Sequence, residues 1–166
     1  KVKKIEKGEY FIREGYVGSK LGFVKKGLFR SLYLTEKGSE CTFAFSTENE
    51  FLYECRAMRT FEVAQYSVQA IEQSIILEVD YKVWSEPFKD TVWWNKMLLD
   101  WTTAESSEKS VREISMMSLS NHERYQEFLL NHPHLENRLT QRIIASYLGI
   151  TPVSLSRIRK EMGLIT

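Results

Sequence analysis

The stretch QRIIASYLGITPVSLSRI, residues 141 to 158, decides how this chain is read, because each position that a helix-turn-helix constrains is suitably filled. Two helices meeting at a sharp angle need a small residue where their backbones approach, and Ala145 is there. Gly149 follows four residues later and tolerates the positive φ of a tight turn. Ile144, Leu148, Ile150, Leu155 and Ile158 supply a small apolar core between the helices. Thr151 can cap the second helix, and Pro152 suits its first position, where a missing N–H costs nothing.

Charge points the same way. From Asn137 to Lys160 there is no acidic residue, whereas Arg138, Arg142, Arg157, Arg159 and Lys160 are basic. The whole chain is only +1, so this basic stretch is a local feature, suited to a phosphate-contacting surface. Double-stranded DNA is the predicted partner. The helix opened by Thr140, Gln141 and Arg142 should lie across the phosphate backbone, and Pro152 to Lys160 should enter the major groove. Thr151, Ser154 and Ser156 are candidates for phosphate or base hydrogen bonds, with Arg159 and Lys160 completing the charged set. Arg157 is the best base reader, because a bidentate guanidinium fits the guanine edge, and Val153 can meet a thymine methyl.

At 166 residues, with 43% apolar and 13% aromatic content, the chain should fold as one or two small domains. It has neither a bilayer-length apolar run nor a signal-peptide pattern, which predicts a cytoplasmic protein. The opening KVKKIEKGEY is already strand-like, so the true N-terminus is expected upstream. Cys41 and Cys55 have no metal-type spacing and should be free thiols in a reducing compartment. His122, His132 and His134 sit around turns without a carboxylate or thiolate in register, so solvated loop histidines and no metal site are expected. Two cysteines are too few for an iron–sulfur cluster, and no histidine precedes His122 to serve a haem or a cupin-like metal. No nucleophile–base arrangement is readable, so no enzyme is expected.

Glycine use divides the chain, with six of eight falling in the first 38 residues. That region alternates short apolar segments with turn signals, as an antiparallel sandwich or barrel does. Leu21 to Val24 precedes a hairpin-type turn at Lys25-Lys26-Gly27, then Leu28 to Leu34 and a second turn at Glu36-Lys37-Gly38. Cys41, Phe43 and Phe45 alternate next, and Val68 to Ala70 and Ile75 to Val79 follow later. From Pro87 to Met117 the period becomes helical. Trp94, Leu98 and Trp101 share one face there, which predicts a dimer seam, against the alternative of a helix packed on its own sheet. Ser120 and Glu123 form a capping box for the next helix.

This order resembles the Crp/Fnr, or catabolite-activator-like, transcription regulators over nearly the whole chain. Lys7 to Gly15 (KGEYFIREG) is similar to the opening strand of that family, Phe23 to Gly27 (FVKKG) to its next hairpin, and Thr140 to Lys160 to its DNA-binding helices. The resemblance implies an α+β chain in three parts: a jelly-roll-like antiparallel β-roll over 1–86, a long dimerisation helix over 87–118 and a helix-turn-helix domain over 119–166. It implies a homodimer on an inverted DNA repeat, RNA polymerase as a further candidate partner, and an effector site in the β-roll. Nucleotide-binding members hold the cyclic phosphate with a short helix N-terminus after an F-G-E motif and with an Arg followed by Ser or Thr. Here Phe51-Leu52-Tyr53-Glu54 lacks the glycine, and Ala64 and Gln65 stand at the Arg-Ser/Thr positions. Arg56 or Arg59 could substitute, but without the guanidinium a buried phosphate loses its main partner, so no cofactor and no tight cyclic AMP or cyclic GMP binding are expected. Phe43, Phe45, Tyr53 and Phe61 are expected as core rather than ligand contacts. The rival readings are a cyclic-nucleotide-responsive regulator using Arg56 or Arg59 and a β-roll interaction protein that does not bind DNA.

Overall fold

The computed structural model describes residues 1–165. It divides into two compact units, Lys1–Thr102 and the part from Thr103 onward.

The first unit is an antiparallel β-roll of two four-stranded sheets. One sheet holds β1 (Val2–Ile5), β8 (Ser74–Asp80), β3 (Lys20–Lys26) and β6 (Phe51–Leu52), in that order. The other holds β2 (Tyr10–Ile12), β7 (Ser67–Ala70), β4 (Phe29–Leu34) and β5 (Glu40–Ser46). Apolar residues from both sheets form one core, in which Val24, Phe29 and Ile76 are completely buried. Removing such side chains from water stabilises by about 1.5–3 kcal/mol each.

The turn at Lys25-Lys26-Gly27 does not make the expected hairpin. β3 pairs with β8 and β6, while β4 pairs with β5 and β7, so the chain crosses here from one sheet to the other. Gly27 makes the crossing possible. Its φ is +122°, and a Cβ placed there would lie 2.0 Å from Ser74 Oγ and 2.9 Å from Ser74 Cα. The turn at Glu36-Lys37-Gly38 does close the β4–β5 hairpin, with Thr35 N–H donating to Ser39 O at 2.9 Å.

Helix α1 (Cys55–Thr60) bridges β6 and β7, and α2 (Tyr81–Ser85) follows β8. Helix α3 (Val92–Ser118) then starts at Thr91, whose Oγ1 accepts from Trp94 N–H at 3.2 Å. Trp94, Leu98 and Trp101, expected at a dimer seam, instead pack against their own β-roll. Trp94 is buried with Leu21, Met58 and Tyr81, and Leu98 and Trp101 pack on the same cluster beside Tyr53 and Val79. A helix beside a half-covered sheet buries its broadest aromatic stripe on the nearest apolar surface, and that surface lies in the same chain.

The second unit contains the C-terminal part of α3 and three further helices: α4 (Asn121–Asn131), α5 (Gln141–Leu148) and α6 (Pro152–Glu161). The Ser120–Glu123 capping box is present in full. Tyr125, Phe128, Leu135, Leu139, Ile144, Leu148, Leu155 and Ile158 are buried here.

Gly27→Ala should destabilise the chain by about 2 kcal/mol or more, combining the cost of positive φ with displacement of Ser74. Gly8→Ala, at φ +88° with nothing within 4 Å of the new Cβ, should cost only about 1 kcal/mol. Thermal denaturation of the two variants side by side checks the order.

Candidate functional site

Local rules place α5 and α6. Thr140 Oγ1 accepts from Ile143 N–H at 3.4 Å and opens α5. Gly149 closes it at φ +68°, donating its N–H to Ala145 O and Ser146 O. Thr151 Oγ1 accepts from Ser154 N–H at 3.1 Å and opens α6, with Pro152 in the first turn. Two helices joined by a three-residue connection therefore follow from two threonine caps and one left-handed glycine.

Helical spacing then sorts the basic residues. Val153, Arg157 and Lys160 fall on one exposed side of α6, with Ser156 half-buried beside them. Val153 is 80% exposed and the Arg157 side chain 76%. Arg157 Nε lies 3.9 Å from Glu161 Oε1, a loose and solvated pair. On α5, Gln141 and Arg142 are exposed. Thr151 and Ser154 face each other with hydroxyls 2.9 Å apart, so both are engaged in the cap.

Arg159, expected on the charged surface, turns inward. It stands one turn after buried Leu155, and its Nη2 lies 3.3 Å from Glu136 Oε1. Glu136 also accepts from the Tyr125 hydroxyl at 2.5 Å. Burial, with the Glu136 carboxylate beside it, holds that hydroxyl protonated far above the ordinary tyrosine range. Arg159 thus belongs to a structural network. His132 also departs from expectation: it is half-buried against Phe128 and Tyr147, with ring centroids at 5.5 and 5.9 Å. Among the described residues no group of three His, Cys, Asp or Glu is placed to hold a metal.

In the β-roll the expected effector residues are either engaged within the fold or exposed. Glu54 is buried, and its Oε2 accepts from Ala57 N–H at 2.6 Å, capping α1. A carboxylate therefore occupies the positive end of the helix where the family resemblance places the cyclic phosphate. Arg56 is exposed and pairs with Glu62 while donating to Val63 O. Arg59 and Gln65 are exposed, and Ala64 is buried in the core. Tyr53 is held by neighbours: Trp101 Nε1 donates to its hydroxyl at 2.6 Å, and Tyr66 donates to its carbonyl at 3.2 Å. Phe43 packs edge-on to Tyr66 at 4.9 Å. Phe43 and Phe45 are only half-buried, and Phe61, expected in the core, is 43% exposed and closes α1 at φ +58°.

The capping role of Glu54 and the part played by Glu136 escaped the sequence reading. Glu54 is not among the usual N-cap residue types, which are Ser, Thr, Asp and Asn, and no signal marks it as one. Glu136 could be suspected only as the nearest acid before the basic stretch. Glu54→Ala should remove the cap of α1 and lower stability by about 1–2 kcal/mol, read as a fall in denaturation midpoint.

The sequence pattern of the cyclic nucleotide-binding domain family matches residues 2–90, more than half of the chain. No curated protein sequence matches significantly. Among solved structures, the fold is similar to FixK2 from Bradyrhizobium japonicum, at TM-score 0.86 and 18% identity over 99% of this chain and 84% of that one. The c-di-GMP-responsive global regulator CLP of Xanthomonas campestris gives TM-score 0.76 and 13% identity over 99% and 86%. A CRP-family transcriptional regulator from Thermus thermophilus gives TM-score 0.75 and 14% identity over 99% and 87%. The chain belongs to the cyclic nucleotide-binding domain family and has the fold of the Crp/Fnr transcription regulators.

Proposed function

We propose that this chain is a cytoplasmic, homodimeric transcription regulator that reads an inverted repeat in double-stranded DNA through a helix-turn-helix formed by α5 and α6. The observation that carries this reading is the exposed side of α6, where Val153, Ser156, Arg157 and Lys160 stand together with no acid in the first turn. Arg157 is long, exposed and only loosely paired, as a guanine reader must be before it meets a base. Val153 offers a methyl contact one turn earlier. Thr140, Gln141 and Arg142 sit at the positive end of α5, suited to backbone phosphate.

Dimerisation uses a different side of α3 from the one bearing Trp94. Val92, Leu99, Ile114 and Met117 share a side by helical spacing and are 85, 65, 63 and 82% exposed. Thr103, Ser106 and Ser110 lie between them and let two helices approach closely. That stripe is too apolar to stay in water on a long helix, and a second copy is the natural cover.

The β-roll does not hold a cyclic nucleotide tightly in this reading. A cyclic phosphate brought to α1 would meet the Glu54 carboxylate and no guanidinium at Ala64 or Gln65, while Arg56 is paired with Glu62. Moving an ionic phosphate into such surroundings loses hydration with nothing to replace it.

Selection from a random DNA library should yield an inverted repeat. Arg157→Ala should cost roughly 1–3 kcal/mol at that site and relax one base preference, whereas Arg142→Ala should weaken all sequences alike. A library that returns no enriched motif would overturn the reading. Sedimentation at micromolar protein should show a dimer that Leu99→Glu with Ile114→Glu dissociates, and a monomeric wild type would refute the seam. Calorimetry with cyclic AMP and cyclic GMP should show no saturable binding below about 10 μM, roughly −7 kcal/mol.

A further inference from the structure

Three side chains on three helices meet where α3 grips the end of α5. Arg112 of α3 lies over the ring of Tyr147, its guanidinium carbon 4.1 Å from the ring centroid, and its Nη2 donates to Tyr147 O at 2.5 Å. That carbonyl is in the last turn of α5, where carbonyls lack partners within the helix and the dipole is negative. One cation therefore satisfies a helix end and stacks on the ring. His132, which closes α4, meets the same ring edge-on at 85° and 5.9 Å, and also contacts Phe128 at 5.5 Å. Four residues after Arg112, Met116 presents its methyl to Gly149, 2.6 Å from where a Cβ would stand. Arg112 and Met116 thus hold both the end of α5 and the turn that leads into α6.

We propose that Arg112, Tyr147 and His132 form a proton-sensitive clamp on the α5–α6 pair. With neutral His132 the clamp holds α5, and through Gly149 the start of α6, in the DNA-reading arrangement. A proton on His132 puts a second cation against a ring that already carries Arg112, and the clamp loosens. Arg112 from α3, Phe128 from α4 and Tyr147 from α5 are among the groups that face His132. Burial first, then the Arg112 charge, hold the imidazole below its ordinary value of 6.5. The unfolded chain takes up this proton near 6.5 and the folded chain only at lower pH. The contribution of His132 to stability is therefore complete above that value and is lost as pH falls from there through the folded value.

The clamp rests on the DNA-binding reading for its consequence, but not for its existence. Imidazole resonances of the whole chain should show His132 titrating below the ordinary imidazole value, and Arg112→Met should move its midpoint upward. At constant ionic strength, affinity for the selected duplex should fall as pH is lowered from 7.5 to 5.5. His132→Gln should flatten most of that loss. An equal loss in His132→Gln, or a midpoint unmoved by Arg112→Met, would overturn the clamp. If no duplex binds at any pH, the DNA-binding reading fails, and the resonance titration alone decides whether the clamp exists.

Discussion

Burial of Trp94 is the constraint from which the use of α3 follows. Its indole is 2% exposed among Leu21, Met58 and Tyr81, with Trp84 edge-on at 5.0 Å. A side chain of that size accounts for several kcal/mol of core energy, so the helix cannot turn this face elsewhere without dismantling the edge of the β-roll. The rest of the first half of α3 is oriented by that anchor. Trp101 reaches Tyr53 and Phe51, and the opposite side, with Val92 and Leu99, is left in solvent. Which stripe is free to meet a partner is thus decided inside the β-roll.

The sequence revealed the apolar stripe on α3 but not its partner, because periodicity states that a face will be buried and is silent on what buries it. Gly27 teaches the same lesson. Its neighbours correctly mark a turn, yet a turn signal does not say whether the next strand joins the same sheet, and the crossing depends on contact with Ser74, far along the chain. By contrast Thr140, Gly149, Thr151 and Pro152 act within a few residues of themselves, so the α5–α6 connection was legible almost atom by atom. Ser120 and Glu123 were legible for the same reason.

Charge was legible as composition and not as direction. The acid-free basic stretch is a property of the linear sequence, but α6 splits it. Arg157 and Lys160 go to solvent, and Arg159 goes to Glu136, within a network that also holds the Tyr125 hydroxyl. Helical spacing alone could have flagged this, since Arg159 follows Leu155 by one turn and adjoins Ile158, both buried. A long guanidinium on an apolar side has to find an acid, and Glu136 is within reach.

Glu54 shows how a buried carboxylate serves a short helix. A helix N-terminus attracts an anion whether that anion is a ligand or a side chain. In this β-roll the anion is covalently attached, and it caps α1 from a buried position. An exchangeable phosphate would have to displace a carboxylate whose effective concentration is fixed by the chain, and then leave that carboxylate buried without its donor. The capping carboxylate of Glu54 and the lack of a guanidinium at Ala64 and Gln65 are the two features on which the proposed weak nucleotide binding rests.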